Sequence, residues 1–134
     1  MKKILFVTAF LLGALFVSAQ ETEEVDPKKK PVITFTETIH DFGTISYGGS
    51  GKWDFEFKNT GKTPLVVSHV GSSCGCTVPE WTREAIAKGK SGKITAIYDT
   101  KRIGPFTKTL TVTSNAGNPV TLTIKGTVSA PVQQ

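Results

Sequence analysis

The chain has 134 residues and a mass of 14.4 kDa, room for one globular domain and not for two. Hydrophobic residues make up 38% and charged residues 20%, which excludes a disordered chain, and the balance of 16 basic against 11 acidic residues leaves a modest +5. Threonine is heavily used, methionine occurs once and leucine is sparse after residue 16, a bias toward half-buried pleated strands rather than helices.

Residues 1–19 read as a secretory signal peptide: Lys2 and Lys3 start it, Ile4 to Val17 form an apolar run, and Val17-Ser18-Ala19 is a small-residue cleavage site. The competing reading is a membrane anchor, but a run of about 14 residues falls short of the ~20 that a helix needs to cross a bilayer. No cysteine lies near the cleavage point to accept a lipid. The mature chain is expected to start at Gln20, to carry +3 once Lys2 and Lys3 are gone (14 basic minus 11 acidic), and to reside in the periplasm or outside the cell. Residues 20–31 set Glu21, Glu23, Glu24 and Asp26 against Lys28, Lys29 and Lys30, a flexible charged tether with no core of its own.

From residue 32 to residue 130 the pattern is short alternation cut by Gly, Pro and Asn. Ile33 and Phe35 begin a first strand, which continues past a kink into Ile39 to Ile45. Trp53, Phe55 and Phe57 alternate with Asp54, Glu56 and Lys58, placing aromatics on one face and charges on the other. Asn59 to Lys62 turns the chain, Pro64 opens a strand over Leu65 to Val70, and a short piece surrounds Cys76 to Val78. Thr82 to Ala87 is a candidate for one helical turn. Ile94, Ala96 and Tyr98 alternate again, and Phe106, Leu110 and Val112 pair across the Asn115 to Asn118 turn with Val120, Leu122 and Ile124. Seven or eight short strands in about 100 residues predict an all-β, immunoglobulin-like antiparallel β-sandwich, with a small closed barrel as the alternative.

Several strings imitate catalytic motifs. Asp41-Phe42-Gly43 spells a kinase magnesium triplet without the rest of that machinery, and Gly48-Gly49-Ser50-Gly51-Lys52 lacks both the spacing and the hydroxyl of a phosphate loop. Lys88, Lys90, Lys93, Lys101 and Arg102 form a polyanion-binding surface if they converge at one end of the sandwich. The unusual site is Ser73-Cys74-Gly75-Cys76-Thr77. Both cysteines lie two apart in a chain expected to be exported, and three readings stay open: a disulfide closed by a bend at Gly75 and serving structure or redox exchange, a copper or zinc site with His69 as third ligand, or small apolar side chains packed under Trp81.

With these residues laid out, the chain resembles the bacterial domain-of-unknown-function family fifteen seventy-three. The resemblance covers most of residues 38–128 and rests on His40-Asp41-Phe42-Gly43-Thr44-Ile45, the string from Phe55 to Gly61, Pro64-Leu65, Ser73-Cys74-Gly75-Cys76-Thr77 with Pro79 and Trp81, and Gly104-Pro105-Phe106. It implies an exported immunoglobulin-like sandwich without an assigned activity. The opening motif is similar, more weakly, to the sandwich domains of abnormal-spindle, hydin and major sperm proteins, which serve as protein-binding or assembly modules. The resulting expectation is a non-catalytic module that needs no cofactor, binds a protein or envelope component rather than nucleic acid, and is not an integral membrane protein once processed. The thiol site at Cys74 and Cys76 and the polyanion surface are its rivals.

Overall fold

The computed structural model describes residues 29–132, so the expected signal peptide and most of the charged tether lie outside the described residues. Pro31 is buried and the Lys62 N–H donates to the Lys30 carbonyl at 3.1 Å, which ties the chain to the domain from that point on. Eight strands follow: β1 (Ile33–Phe35), β2 (Ile39–Ser46), β3 (Lys52–Asn59), β4 (Val67–Ser72), β5 (Thr77–Trp81), β6 (Ser91–Tyr98), β7 (Gly104–Ser114) and β8 (Val120–Ser129). They form two four-stranded sheets, β1-β3-β6-β5 and β2-β8-β7-β4, the two layers of an immunoglobulin-like sandwich.

The period-2 pattern explains the layers. Phe55 and Phe57 of β3 and Ile94 and Ala96 of β6 face Leu110 and Val112 of β7 and Leu122 and Ile124 of β8, all essentially without solvent exposure. Phe57 lies over Gly92, its cross-strand partner, where the missing side chain makes room for the ring. Trp53, the first aromatic of the series, is only half-buried because it sits where the core meets the sandwich rim.

Two features depart from the sequence reading. The run that looked like one kinked strand is divided between the sheets: β1 pairs antiparallel with β3, the chain crosses at Glu37, and β2 joins the other sheet beside β8. Since the chain keeps its heading through the crossing, β2 meets β8 parallel, the one parallel pair among the described strands of an otherwise antiparallel sandwich. Thr82 to Ala87 forms no helical turn. Ile86 buries against Leu65 instead, and the two residues exchange backbone hydrogen bonds of 2.9 and 2.7 Å.

The Asp41-Phe42-Gly43 string has a structural purpose. Between Asp41 and Thr44 on β2 the register against β8 advances three residues against two, from Lys125 to Thr127, so one extra residue bulges out. Gly43 takes φ +65°, and its N–H donates to Asp41 Oδ1 at 2.8 Å. The bulge switches which residues point inward, from His40 and Phe42 before it to Ile45 after it. Gly43→Ala is expected to cost about 1–2 kcal/mol through left-handed strain alone, read as a lower denaturant midpoint with unchanged slope.

Candidate functional site

A sandwich of this kind exposes four outer strands, and each unpaired edge invites another strand to add to it. In this protein β2 is bulged at Gly43, and β4 shows a register shift between Val67 and His69. The β5 edge carries Pro79. The Thr82 N–H donates to the Lys93 carbonyl and Cys76 accepts from the Asp99 N–H, so even-numbered residues of this stretch face β6 and Pro79 faces the open side, where it presents no donor. Trp81 folds from β5 onto β4, its indole N–H donating to the Val67 carbonyl at 3.3 Å. Each of these edges is therefore irregular or covered.

The fourth edge is different. Lys52 to Lys58 of β3 pair with β6 on one side, but on the other β1 covers only Phe57, Lys58 and Asn59, followed by a last bond from the Thr36 N–H to the Glu56 carbonyl at 3.1 Å. Because the Tyr98 N–H donates to the Gly51 carbonyl, odd-numbered residues of β3 face β6, and Lys52 and Asp54 turn their backbone groups outward. Among the described residues no strand pairs with that outward side. The gap is an open cleft of about 580 Å³, bounded by Thr36 and Glu37 at the end of β1 and by Lys52, Trp53, Asp54 and Glu56 on β3.

Side chains hold the cleft in shape. His40 of β2 stacks on Trp53 with ring centroids 3.5 Å apart and planes 5° from parallel, and meets the edge of Phe42 at 4.6 Å. Its Nδ1 lies 3.7 Å from Glu37 Oε1. The Trp53 indole N–H is buried without a hydrogen-bond partner among the described residues. Asp54 accepts from the Thr95 hydroxyl at 2.6 Å and lies 3.7 Å from Lys93 Nζ, so its carboxylate is answered from β6, whereas Glu56 has no cation within ion-pair distance among the described residues.

The cysteine turn lies on the opposite rim. Cys74 and Cys76 are joined as a disulfide with Cα atoms 5.4 Å apart, closer than in an extended strand, because the Thr77 N–H turns back to the Cys74 carbonyl over Gly75. The turn is fixed to both sheets: the Ser73 N–H donates to the Thr109 carbonyl of β7 at 3.0 Å, and the Asp99 N–H donates to the Cys76 carbonyl at 2.9 Å. Cys76 is buried, Cys74 half-buried, and the Ser72 hydroxyl donates to the Cys74 carbonyl. Trp81 is half-buried below, with Arg83 stacked 3.9 Å over its ring. His69 is exposed on β4 and meets the edge of Trp81 at 6.1 Å. Bonded to each other, the two sulfurs present no thiolate, and among the described residues no group of three or more His, Cys, Asp and Glu side chains is placed to hold a metal ion.

The basic residues do not converge. Lys88 and Lys90 precede β6 and Lys101 and Arg102 follow it, so eight residues of strand hold them about 25 Å apart, while Lys93 and Arg102 are each paired with a carboxylate, Asp54 and Asp99. Of the motif residues, His40, Phe42 and the Asp41-Gly43 bulge gather at the rim beside the cleft, whereas Cys74, Gly75, Cys76 and Trp81 close the other rim. Sequence reasoning missed Glu37, Lys52, Asp54 and Glu56 as a group. The signal was a change of inward parity from Ile33 and Phe35 to His40 and Phe42, which marks the crossing that leaves β3 half-paired.

Solved structures share this architecture. A protein of unknown function from Porphyromonas gingivalis W83 superposes with a TM-score of 0.66 at 17% identity over 80% of this chain, which spans about half (51%) of that one. The ASH / PapD-like domain 7 of human CEP192 gives 0.65 at 12% identity over 87% of this chain and 97% of that domain. The VesB protease of Vibrio cholerae gives 0.55 at 14% identity over 71% of this chain and 31% of the protease. At these identities the likeness establishes the fold alone. Among curated proteins none matches the sequence. No helix among the described residues is long and apolar enough to cross a membrane. Residues 33–128, which contain the bulge, the half-paired strand and the cysteine turn, match the family model described as "Protein of unknown function (DUF1573)", and the chain belongs to that family.

Proposed function

We propose that this protein is an exported, non-catalytic binding module of the periplasm or extracellular space that captures a protein partner by adding the partner's extended segment to the open edge of β3. The observation that carries this reading is the half-paired strand itself, since the other outer strands are bulged, blocked by Pro79 or covered by Trp81, and Lys52 to Asp54 is left able to accept a neighbour. The signal-like residues 1–19 support export, and so does a bonded cysteine pair, which persists in oxidising compartments. The test is capture from envelope extracts with immobilised protein. A partner retained by the wild type is expected to be lost with Asp54→Pro, which removes an N–H from the open side and leaves the β6 ladder donors in place. Circular dichroism of the variant checks that it still folds. Equal capture by both proteins, or none by either, contradicts the reading.

A second reading is disulfide exchange at Cys74 and Cys76. It is favoured by the Cys76 N–H, which points at Cys74 Sγ at 3.3 Å and would stabilise a thiolate there after reduction. Equilibration with glutathione buffers followed by alkylation and mass measurement decides it. An exchange site is half reduced at a potential above about −270 mV, whereas a structural bridge stays closed to below about −300 mV.

A further inference from the structure

From the charges around the β3 edge we infer that the segment it accepts is basic, an extended stretch of a partner protein with Lys or Arg on alternate, outward-facing positions. This inference rests on the strand-addition reading above and names the chemistry of its occupant. Three carboxylates, Glu37, Asp54 and Glu56, border the cleft against one cation, Lys52. Asp54 is already answered by Lys93 and Thr95, whereas Glu37 has only His40, at 3.7 Å, and Glu56, although its cross-strand neighbour on β6 is Lys93, has no cation within ion-pair distance among the described residues. The Thr36–Glu56 backbone bond brings the Glu37 and Glu56 segments side by side at the closed end of the gap.

A strand added at this edge continues the sheet, so its side chains alternate between the outer face and the space over Trp53. The outward ones fall beside Asp54 and Glu56, where opposite-charge cross-strand neighbours are stabilising and like charges are not. The backbone contribution is set by the outward groups of β3: the Lys52 carbonyl and the N–H and carbonyl of Asp54. The Lys52 N–H is engaged, at 3.4 Å, by Ser50 Oγ. The edge therefore supplies the strand ladder and the carboxylates supply the selectivity. A second copy of the chain is a poorer occupant, because antiparallel β3–β3 pairing centred on Asp54 sets that carboxylate against its own copy.

The probes are three short peptides: one alternating lysine and threonine, its glutamate counterpart, and a copy of the lysine peptide with N-methyl groups along one backbone edge. Each is titrated into the folded protein while backbone amide resonances are followed. The lysine peptide is expected to shift Asp54 and its neighbours and to slow exchange of the Asp54 amide, the glutamate peptide to bind about tenfold more weakly, and the N-methylated copy to lose binding. Equal binding of lysine and glutamate peptides at Asp54 overturns the basic partner while leaving strand addition in place. Undiminished binding of the N-methylated copy, or shifts that bypass Asp54, overturns strand addition itself. A concentration-dependent dimer that shifts Asp54 without any peptide assigns the edge to a second copy and overturns the inference.

Discussion

Replacing Asn59 with alanine is expected to cost about 3–5 kcal/mol, the largest effect of any single polar substitution in this domain. Asn59 is fully buried at the end of β3. Its amide group donates to the carbonyls of Thr63 at 2.8 Å and Ile86 at 2.9 Å, and its Oδ1 accepts from the N–H of Gly61 at 3.0 Å and, at 3.4 Å, of Val32. One side chain thus joins the β3–β4 turn, the Leu65–Ile86 bridge and the approach to β1. Alanine strands these backbone groups in a dry site, and each unsatisfied buried group costs about 1–3 kcal/mol. Against a total stability of about 5–15 kcal/mol the variant is marginal, and urea unfolding measures it through the midpoint. A loss below about 1 kcal/mol means that water reaches the site and replaces the amide.

Phe57→Ala is the second large expectation, about 3–5 kcal/mol. The ring is essentially unexposed, lies over Gly92 and meets Phe35 of β1 at 5.5 Å between centroids. Since β1 has three residues and its partner strand is β3, losing the ring removes the main apolar attachment of the first strand. Two readouts are expected: a lower denaturant midpoint, and faster amide exchange across Thr34 and Lys58 than the global loss accounts for. Exchange that rises uniformly over both sheets shows instead that β1 opens only when the whole domain unfolds.

These two residues also show what was legible beforehand. The aromatic alternation from Trp53 to Phe57 and the hairpin of β7 and β8 follow from period 2, so the sandwich could be read from them directly. The turn at Asn59 was legible too, but its buried role was not, because an Asn before Thr-Gly looks the same whether its amide is wet or dry. The crossing at Glu37 was hidden by continuity of direction: Ile33, Phe35 and Ile39 keep one parity, and only His40 and Phe42 betray the change of sheet. Lys52, Asp54 and Glu56 read as the solvent face of a paired strand, and that is true of their side chains. Their backbone is what matters, and a backbone edge has no letter in the sequence. The cysteine pair was recognisable as unusual, yet its bond depends on the turn that the Thr77 N–H closes over Gly75, a local geometry that the spacing of the two cysteines does not encode.

β3 is paired along its length on one side and open from Lys52 to Asp54 on the other. Residue-resolved amide hydrogen exchange of the isolated protein tests this directly. The amides of Trp53 and Phe55 point to β6 and are expected to be protected nearly to the global unfolding limit, while the Asp54 amide between them exchanges faster by orders of magnitude. Protection of Asp54 equal to that of its two neighbours contradicts the account, because some other part of the chain then occupies the edge.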